Sequence, residues 1–381
     1  MRVAMSSFRF NHEGGIERVS YELADRLAEH VDLTLVATDV QPEPSPPLRW
    51  HRVDALSSPS FVVPVTYSAA ATRSLRDERF DVLHNQGGCA LREQDVITAH
   101  SCHKAWWDMK LRSGEVVRAL ANPFHHAVLA VETRNYRPGR YRRAIAVSPS
   151  VGRELTRFYG VDPERVRVIP NAVDVSRFQP ADAAELRAQV RRRHGFTDDD
   201  VVLLFVGKEF RRKGLVAVVD ALPRLPSTVR LLVVGGDDPR PFQAQARAAG
   251  VADRVVFAGH SPAVHEEFQA GDVFVFPTMY EAFGLVLLEA AAAGMPVLST
   301  ALGVAEELVE EGRNGSIIER DGASVAAALA PLVADRDLRR RMGERARRDA
   351  GAYTSWDAVT RRTLDVYEEV VEEKRREGVL S

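Results

Sequence analysis

The sequence has 381 residues, and that length calls for two domains rather than a single core. Its 51 Lys and Arg residues nearly balance its 53 Asp and Glu residues, which excludes the strongly basic surface of a nucleic-acid-binding protein. Cys89 and Cys102 are the only cysteines, so a disulfide framework is not expected and a reducing cytoplasm is favoured.

The first residues enter a short strand pattern directly, without the apolar stretch of a signal peptide. The most apolar later stretch, Phe124 to Val131, is short and contains His125 and His126, so we expect no transmembrane helix. We therefore predict a cytoplasmic protein that meets a membrane, if at all, at the inner face of the plasma membrane.

Short β-branched runs alternate with amphipathic helical patterns along the first half of the chain. The predicted strands are Leu33–Ala37, Val82–His84, Val96–Thr98, Ala144–Val147 and Val166–Pro170. The predicted helices are Gly15–His30, Tyr67–Arg79 and Pro149–Tyr159. This alternation predicts a parallel sheet with helices on both faces.

The same pattern restarts after a polar, charged stretch over residues 174–200. The predicted strands of the second half are Val201–Gly207, Arg230–Gly235, Val255–Phe257, Val273–Pro277 and Pro296–Ser299. We therefore predict two doubly wound α/β domains, over residues 1–175 and 176–354, followed by a charged helix over residues 355–381.

Two glutamates eight residues apart stand in the segment Pro277–Glu289, which follows a buried strand and opens a helix. We expect Glu281 in the loop and Glu289 inside the helix, with a helical part of roughly 9 Å between them, about the reach of a diphosphate plus ribose. The helix N-terminus attracts anions, and Gly284 lets a phosphate approach the backbone. The alternative is that Glu281 only caps the helix and Glu289 lies on the surface.

A basic loop, Gly207–Gly214, lies between a predicted strand and a predicted helix. Fixed cations in this position would stabilise an anionic leaving group more strongly in the transition state than in the ground state. The alternative is an ordinary solvated basic loop.

Several further motifs argue against other classes of site. Gly14 and Gly15 precede the first helix without the G-x-G-x-x-G spacing, which disfavours a dehydrogenase; a plain tight turn is the alternative. The His100–His103 stretch contains a His-Cys-His pattern without an apparent fourth ligand. Asp198–Asp200 and Asp335–Asp337 match a bare D-x-D pattern, but we expect solvated charges there and no metal site.

Together these motifs resemble glycosyltransferase family 4, retaining enzymes of the GT-B fold, in which two Rossmann-like domains face each other across a cleft. The Glu281-to-Glu289 spacing is similar to the hallmark E-x7-E segment of that family. The resemblance covers nearly the whole chain and is closest to the lipopolysaccharide core glucosyltransferase branch. The other segments that carry the resemblance to this family are Gly14–Glu17, Ala146–Ser148, Val168–Asp174, Phe210–Gly214, Val234–Pro239 and Tyr353–Trp356.

The resemblance implies that the N-terminal domain binds the acceptor, that the C-terminal domain binds the nucleotide sugar, and that the last helix packs back toward the N-terminal domain. The catalytic residues that it implies are Glu281, Lys213, Arg212 and His100. The donor-binding residues that it implies are Gly14, Gly15, Lys208, Ala282, Phe283, Gly284, Leu285, Glu289 and His260. It implies neither a metal nor any cofactor beyond the nucleotide sugar itself.

The implied activity is metal-independent, retaining transfer of a hexose from a nucleoside-diphosphate sugar to a hydroxyl of a glycan, glycolipid or small molecule. The acceptor could be a lipid-linked or cell-envelope glycan. A UDP sugar such as UDP-glucose is favoured, yet a GDP-mannose-dependent mannosyltransferase would share every motif. The competing hypotheses are an epimerase, a phosphorylase and a non-catalytic nucleotide-sugar-binding subunit.

The stretch Lys104–Arg143 has a local excess of positive charge, with Trp106 and Trp107 beside it. Its nine basic residues are Lys104, Lys110, Arg112, Arg118, Arg134, Arg137, Arg140, Arg142 and Arg143, against three acidic residues, Asp108, Glu115 and Glu132. Cations next to amphipathic aromatic residues suit a peripheral contact with an anionic membrane or the binding of a phosphorylated lipid acceptor. The alternative is a solvated face with buried tryptophans.

Overall fold

A computed structural model describes residues 1–12, 14–42, 48–56, 58–89, 91–112 and 122–380. The chain divides into two compact units. Unit 1 comprises Met1–Asn171 together with Trp356–Ser381, and unit 2 comprises Ala172–Ser355. The last helix therefore belongs to unit 1, although it follows unit 2 in the sequence.

The two units share a regular alternation of strands and helices. The strands are β1 (Arg2–Ser6), β2 (Arg9–Phe10), β3 (Asp32–Ala37), β4 (Asp39–Val40), β5 (Arg49–Arg52), β6 (Val82–Asn85), β7 (Val96–Ala99), β8 (Arg143–Ala146), β9 (Val166–Val168), β10 (Val201–Val206), β11 (Val229–Val234), β12 (Val255–Gly259), β13 (Val273–Phe276), β14 (Val297–Ser299) and β15 (Gly315–Ile317). The α-helices are α1 (Ile16–Leu27), α2 (Val63–Ser74), α3 (His103–Arg112), α4 (Pro123–Asn135), α5 (Pro149–Tyr159), α6 (Ala183–Arg193), α7 (Leu215–Ala221), α8 (Arg240–Ala248), α9 (Val264–Glu267), α10 (Leu285–Ala292), α11 (Ala305–Leu308), α12 (Gly322–Ala334), α13 (Arg336–Tyr353) and α14 (Trp356–Arg376).

Unit 1 is built on a parallel sheet with the strand order β5-β3-β1-β6-β7-β8-β9, beside a small parallel pair of β2 and β4. The predicted parallel sheet is thus confirmed, and α5 has the predicted bounds. Ser148 caps α5 by accepting from the Val151 N–H, Pro149 occupies its first turn, and Gly160 ends it with a φ of 66°.

The prediction for the second helix of unit 1 is wrong by about one turn. The helix α2 spans Val63–Ser74 instead of Tyr67–Arg79, with Pro64 in its first turn. Proline fits that position because the N–H that it lacks would have no partner inside the helix.

Unit 2 is built on a parallel sheet with the strand order β12-β11-β10-β13-β14-β15. Every residue of β10 and β13 is buried, as expected for strands covered by helices on both faces. The order of the strands along the chain reverses between β10 and β13. Ligands of such sheets bind outside the carboxyl ends of the strands at this switch point, and both loops that were singled out from the sequence start there.

Candidate active site

The two loops at the switch point of unit 2 are joined by a buried ion pair. The Lys213 Nζ contacts Oε2 of Glu281, so a cation from the loop after β10 meets a carboxylate from the loop after β13. Lys213 is only 9% exposed, and its ammonium lies 5.0 Å from the centre of the Phe276 ring. Burial lowers the pKa of Lys213, whereas the Glu281 carboxylate acts in the opposite direction.

Arg212 connects the same two loops. Its Nη1 donates to the Tyr280 carbonyl at 2.9 Å, and its own carbonyl accepts from the Met279 N–H at 2.9 Å. Its Nε and Nη2 donate to the Glu209 carboxylate at 2.8 and 2.6 Å. The guanidinium is therefore held in one orientation at the carboxyl edge of the sheet.

The backbones of the two loops also touch, and this contact requires a glycine. Gly214 has a φ of +86°, and a Cβ at this position would overlap the carbonyl oxygen of Pro277. Only a residue without a side chain tolerates both conditions. Gly214 also directly precedes α7, so the end of the basic loop is fixed between a helix and the Pro277–Glu289 segment.

The structure contradicts the alternative interpretation of the two glutamates. Gly284, with a φ of +89°, is the residue that precedes α10, and Glu281 pairs with Lys213 instead of serving only as a cap. Glu289 lies inside α10 and is 5% exposed, so it is not a surface residue. The expected spacing needs correction, because the helix begins only at Leu285 and its part up to Glu289 rises about 6 Å.

Two other predicted donor-binding residues lie on the carboxyl edge of unit 2. Lys208 is exposed and follows β10 after one residue. His260 is exposed and directly follows β12; a Cβ built on Gly236 would lie 3.6 Å from the His260 Cβ. His260 is thus adjacent to the loop after β11. Ala282 and Phe283 lie in the loop before α10, where the Phe283 carbonyl accepts from the Val304 N–H at 2.6 Å.

The structure adds residues that the sequence reasoning missed. Asp237 accepts a hydrogen bond from the Phe210 N–H at 2.7 Å and so fixes the basic loop from the end of β11. The Nε of Arg320 donates to the Pro277 carbonyl at 3.1 Å from 43 residues further along the chain. No local sequence pattern predicts the contact of Arg320 with Pro277. Asp237, in contrast, lies in the segment Val234–Pro239, which carried part of the family resemblance.

His100, Gly14 and Gly15 belong to unit 1. His100 directly follows β7, and its Nε2 donates to the Gln86 side-chain oxygen at 3.0 Å, since a carboxamide oxygen only accepts. Burial lowers the pKa of His100 to about 4, so its imidazole is neutral near pH 7. Gly14 has a φ of +85°, and Gly15 precedes α1 as predicted.

His100 is part of a larger neutral network in unit 1. His84 lies between the Tyr367 hydroxyl at 2.6 Å and the Thr98 hydroxyl at 2.7 Å, and burial lowers its pKa to about 3. Gln86 links the two histidines, because its Nε2 lies 3.3 Å from Nε2 of His84. Tyr367 is contributed by α14.

The described part of the chain contains no group of three or more His, Cys, Asp or Glu side chains that could hold a metal ion. The expectation of solvated charges in both D-x-D patterns is wrong for Asp200. That residue is 8% exposed, pairs with Arg230 at 3.1 Å and accepts from the Thr197 N–H. Asp335 caps α13 by accepting from the Leu338 N–H at 2.9 Å.

Part of the basic stretch Lys104–Arg143 is used inside unit 1, and residues 113–121 of it lie outside the described residues. Arg142 and Arg143 both pair with Glu373 of α14 at 2.7 Å. Trp107 is buried. Over the described ranges, the chain has no helix with the length and apolar character needed to cross a bilayer.

Comparisons with known proteins agree with this architecture. The family model described as "Glycosyltransferase Family 4" matches residues 13–177, and the model described as "Glycosyl transferases group 1" matches residues 187–349. The chain is 36% identical over 250 residues to a D-inositol 3-phosphate glycosyltransferase of Geodermatophilus obscurus; the match covers 61% of this chain and 53% of that protein. A homologue with the same name from Streptomyces coelicolor is 33% identical over 262 residues, with 61% and 56% covered. The chain thus spans about half the length of these curated relatives.

Solved structures share the fold at lower identity. WaaG, a glycosyltransferase involved in lipopolysaccharide biosynthesis, superimposes with a TM-score of 0.79 at 23% identity over 94% of this chain and 98% of its own. Sucrose-phosphate synthase from Thermosynechococcus elongatus gives a TM-score of 0.77 at 22% identity over 98% and 99%. Anabaena HepE, solved with UDP and glucose, gives 0.74 at 17% identity over 97% and 100%. The chain belongs to glycosyltransferase family 4 and has its GT-B fold, with two Rossmann-like α/β domains.

Proposed function

We propose that this protein is a retaining hexosyltransferase that moves a hexose from a nucleoside-diphosphate sugar to a hydroxyl acceptor. A UDP sugar such as UDP-glucose is the favoured donor. The observation that carries the proposal is the Lys213–Glu281 ion pair, with Arg212 beside it, at the switch point of the unit 2 sheet. Family membership supports the same conclusion.

The diphosphate of the donor would bind between the two cations and the first turn of α10. Negative charge grows on the leaving diphosphate as the glycosidic bond breaks, and Arg212 and Lys213 would stabilise that charge. The first turn of α10 adds backbone N–H groups that have no acceptor inside the helix. The backbone of Phe283, Gly284 and Leu285 would contact the sugar and phosphates.

The two glutamates would bind the uncharged ends of the donor. Glu281 would accept hydrogen bonds from hydroxyls of the sugar, and Glu289 from the ribose diol, since carboxylates are strong acceptors. His100 would contact the sugar as a neutral imidazole. His260 and the loop after β11 would lie next to the base.

The proposed reaction proceeds on one face of the sugar, so that its anomeric configuration is retained. The bond between the anomeric carbon and the phosphate oxygen breaks, and the acceptor oxygen bonds to that carbon on the same face. The departing phosphate oxygen takes the proton of the acceptor hydroxyl. Two fixed cations and a helix N-terminus would face the diphosphate, and we therefore propose that no divalent metal is required.

The proposal for the acceptor rests on the names of relatives. Those relatives are D-inositol 3-phosphate glycosyltransferases, which makes an inositol phosphate the first acceptor to test. The relation to WaaG adds lipid-linked envelope glycans.

We propose a cytoplasmic enzyme that contacts anionic membranes through Lys104–Arg143; equal co-sedimentation with anionic and neutral vesicles would contradict that contact.

The decisive experiment incubates the protein with UDP-, GDP- and ADP-sugars, with and without acceptors, and measures the released nucleoside diphosphate. We expect release from a UDP hexose in the presence of EDTA, and an unchanged anomeric configuration in the product by NMR. Release from GDP-mannose alone would establish the mannosyltransferase instead. Binding without turnover on any acceptor would favour a non-catalytic subunit, and neither binding nor release would refute the proposal.

A further inference from the structure

Glu209 stands out in the basic loop Gly207–Gly214 because it is an acidic residue in an unusual conformation. Its φ is 55°, and no other non-glycine residue of the described ranges has a positive φ. Glycine or asparagine adopts this left-handed conformation more readily than glutamate. The backbone conformation therefore does not explain why this position is a glutamate, and this points to a role for the side chain.

The Glu209 side chain occupies the hydrogen-bonding edge of Arg212. Nε and Nη2 of the guanidinium both donate to Oε2 of Glu209, at 2.8 and 2.6 Å, while Nη1 is bound to the Tyr280 carbonyl. Two adjacent N–H groups of arginine form the edge that also binds phosphate oxygens. The Glu209 carboxylate thus occupies the edge of Arg212 that could bind a phosphate.

The two carboxylates next to the site differ in how easily they could give way. Glu281 is mostly buried, with 15% of its side chain exposed, and it contacts the buried Lys213. The Glu209 side chain is 58% exposed, so water can solvate it once it leaves Arg212. Of these two carboxylates, Glu209 is the one that combines a strong contact to a site cation with a low cost of displacement.

We propose that Glu209 competes with the diphosphate of the donor for Arg212. This inference rests on the proposed function, because it requires Arg212 to bind the phosphates. The competition weakens the binding of both donor and nucleoside-diphosphate product, and it speeds the release of the product. It also holds Arg212 in place on the Tyr280 carbonyl while the site is empty.

The test compares the binding of UDP, GDP, uridine and guanosine to the full chain and its variants by isothermal titration calorimetry. Glu209→Gln keeps the size of the side chain and removes its charge. We expect it to bind the preferred nucleoside diphosphate about three- to tenfold more tightly, with unchanged affinity for the nucleoside. Its nucleoside-diphosphate dissociation rate in stopped flow should fall by a similar factor.

Glu344→Gln is the matched control, because Glu344 pairs with Arg340 on α13 at 3.0 Å and its side chain is 48% exposed. It removes the same charge from unit 2 and should bind like the wild type. Glu209→Asn, which tolerates the left-handed conformation, should act in the same direction if Glu209→Gln folds poorly.

Each outcome bears on one hypothesis. Equal binding by wild type and Glu209→Gln overturns the competition, and weaker binding by the variant means that Glu209 positions Arg212 productively. If the wild type binds no nucleoside diphosphate at all, the proposed function fails, and this inference fails with it.

Discussion

At the carboxyl edge of the unit 2 sheet, a positively charged side chain pairs with a negatively charged one. At the corresponding edge of the unit 1 sheet, the hydrogen-bonding side chains are neutral. In unit 2 a buried ammonium, Lys213, pairs with Glu281. In unit 1 the buried His84 lies between two hydroxyls, and Gln86 connects it to His100.

The difference shows how one architecture supplies two kinds of binding surface. A buried cation is costly unless an anion pairs with it, and a bound phosphate is such an anion. A buried neutral imidazole both donates and accepts without that cost, which suits uncharged hydroxyl groups. We expect the unit 2 edge to respond most strongly to changes of charge and the unit 1 edge to changes of pH and hydrogen bonding.

The largest expected effect is that of removing the buried cation. Lys213→Ala should lower kcat by about 10²- to 10³-fold, because the charge on the leaving diphosphate loses a fixed cation. Turnover with the preferred nucleotide sugar measures the effect. Lys110→Ala, which removes a lysine located 4.8 Å from the ring centre of Trp106 in unit 1, serves as the control. A Lys213→Ala enzyme within threefold of wild type would place the essential cation elsewhere.

The next effect concerns the backbone contact that brings the charged loops together. Gly214→Ala should destabilise the protein by about 3 kcal/mol, since the new Cβ collides with the Pro277 carbonyl in addition to straining the backbone. Gly250→Ala is the matched control: its φ is +70°, and a Cβ there would meet nothing within 4 Å. It should cost about 1 kcal/mol. Denaturant unfolding measures both changes, and equal costs would argue against the close contact.

The sequence predicted the charged edge better than the neutral one, for a physical reason. Glu281 lies in the loop after the fully buried β13, and Lys213 lies in the loop after the fully buried β10, so the strand pattern and the charges together indicate this edge. The contacts of Glu209 and Gln86 depend on side-chain directions, and the contact of Arg320 joins residues 43 positions apart; no local pattern encodes either feature.

Local sequence patterns also predicted the central strands of the sheets better than the edge strands. The strand β10 is a continuous apolar run, and β11 is apolar except for Arg230; both were predicted with nearly their observed bounds. The edge strand β5 reads Arg-Trp-His-Arg and is only half-buried, and β15 is three residues long at the other sheet's edge. Neither has an apolar run or a clear alternation that would have revealed it.

The third effect is a loss of stability in acid that originates in unit 1. The pKa of His84 falls from 6.5 in the unfolded chain to about 3 in the folded protein. Between these values the unfolded state binds more protons, so stability is complete above pH 6.5 and declines as the pH falls. His84 alone should contribute a loss of about 2 kcal/mol between pH 6.5 and 5.

Unfolding curves measured across that pH range test the origin of this loss. His84→Gln should flatten the decline, whereas His30→Gln, at an exposed histidine of the same unit, should keep the wild-type slope. His100 and His103, whose pKa values burial also lowers to about 4, leave a residual slope of the same sign. An unchanged slope in His84→Gln would mean that His84 is not buried as a neutral imidazole.

The smallest expected effect is a loss of stability caused by a change in the last helix, and it should leave nucleotide binding by unit 2 unchanged. Tyr367→Phe removes the hydroxyl that lies 2.6 Å from His84 and should cost about 1 kcal/mol of stability, because one buried hydrogen bond is lost. Nucleoside-diphosphate affinity, which we assign to the charges of unit 2, should stay at the wild-type value. A variant that lost affinity in proportion to stability would show that the neutral network also orders the donor site. The contrast between the charged and neutral edges would then describe one coupled site rather than two separable surfaces.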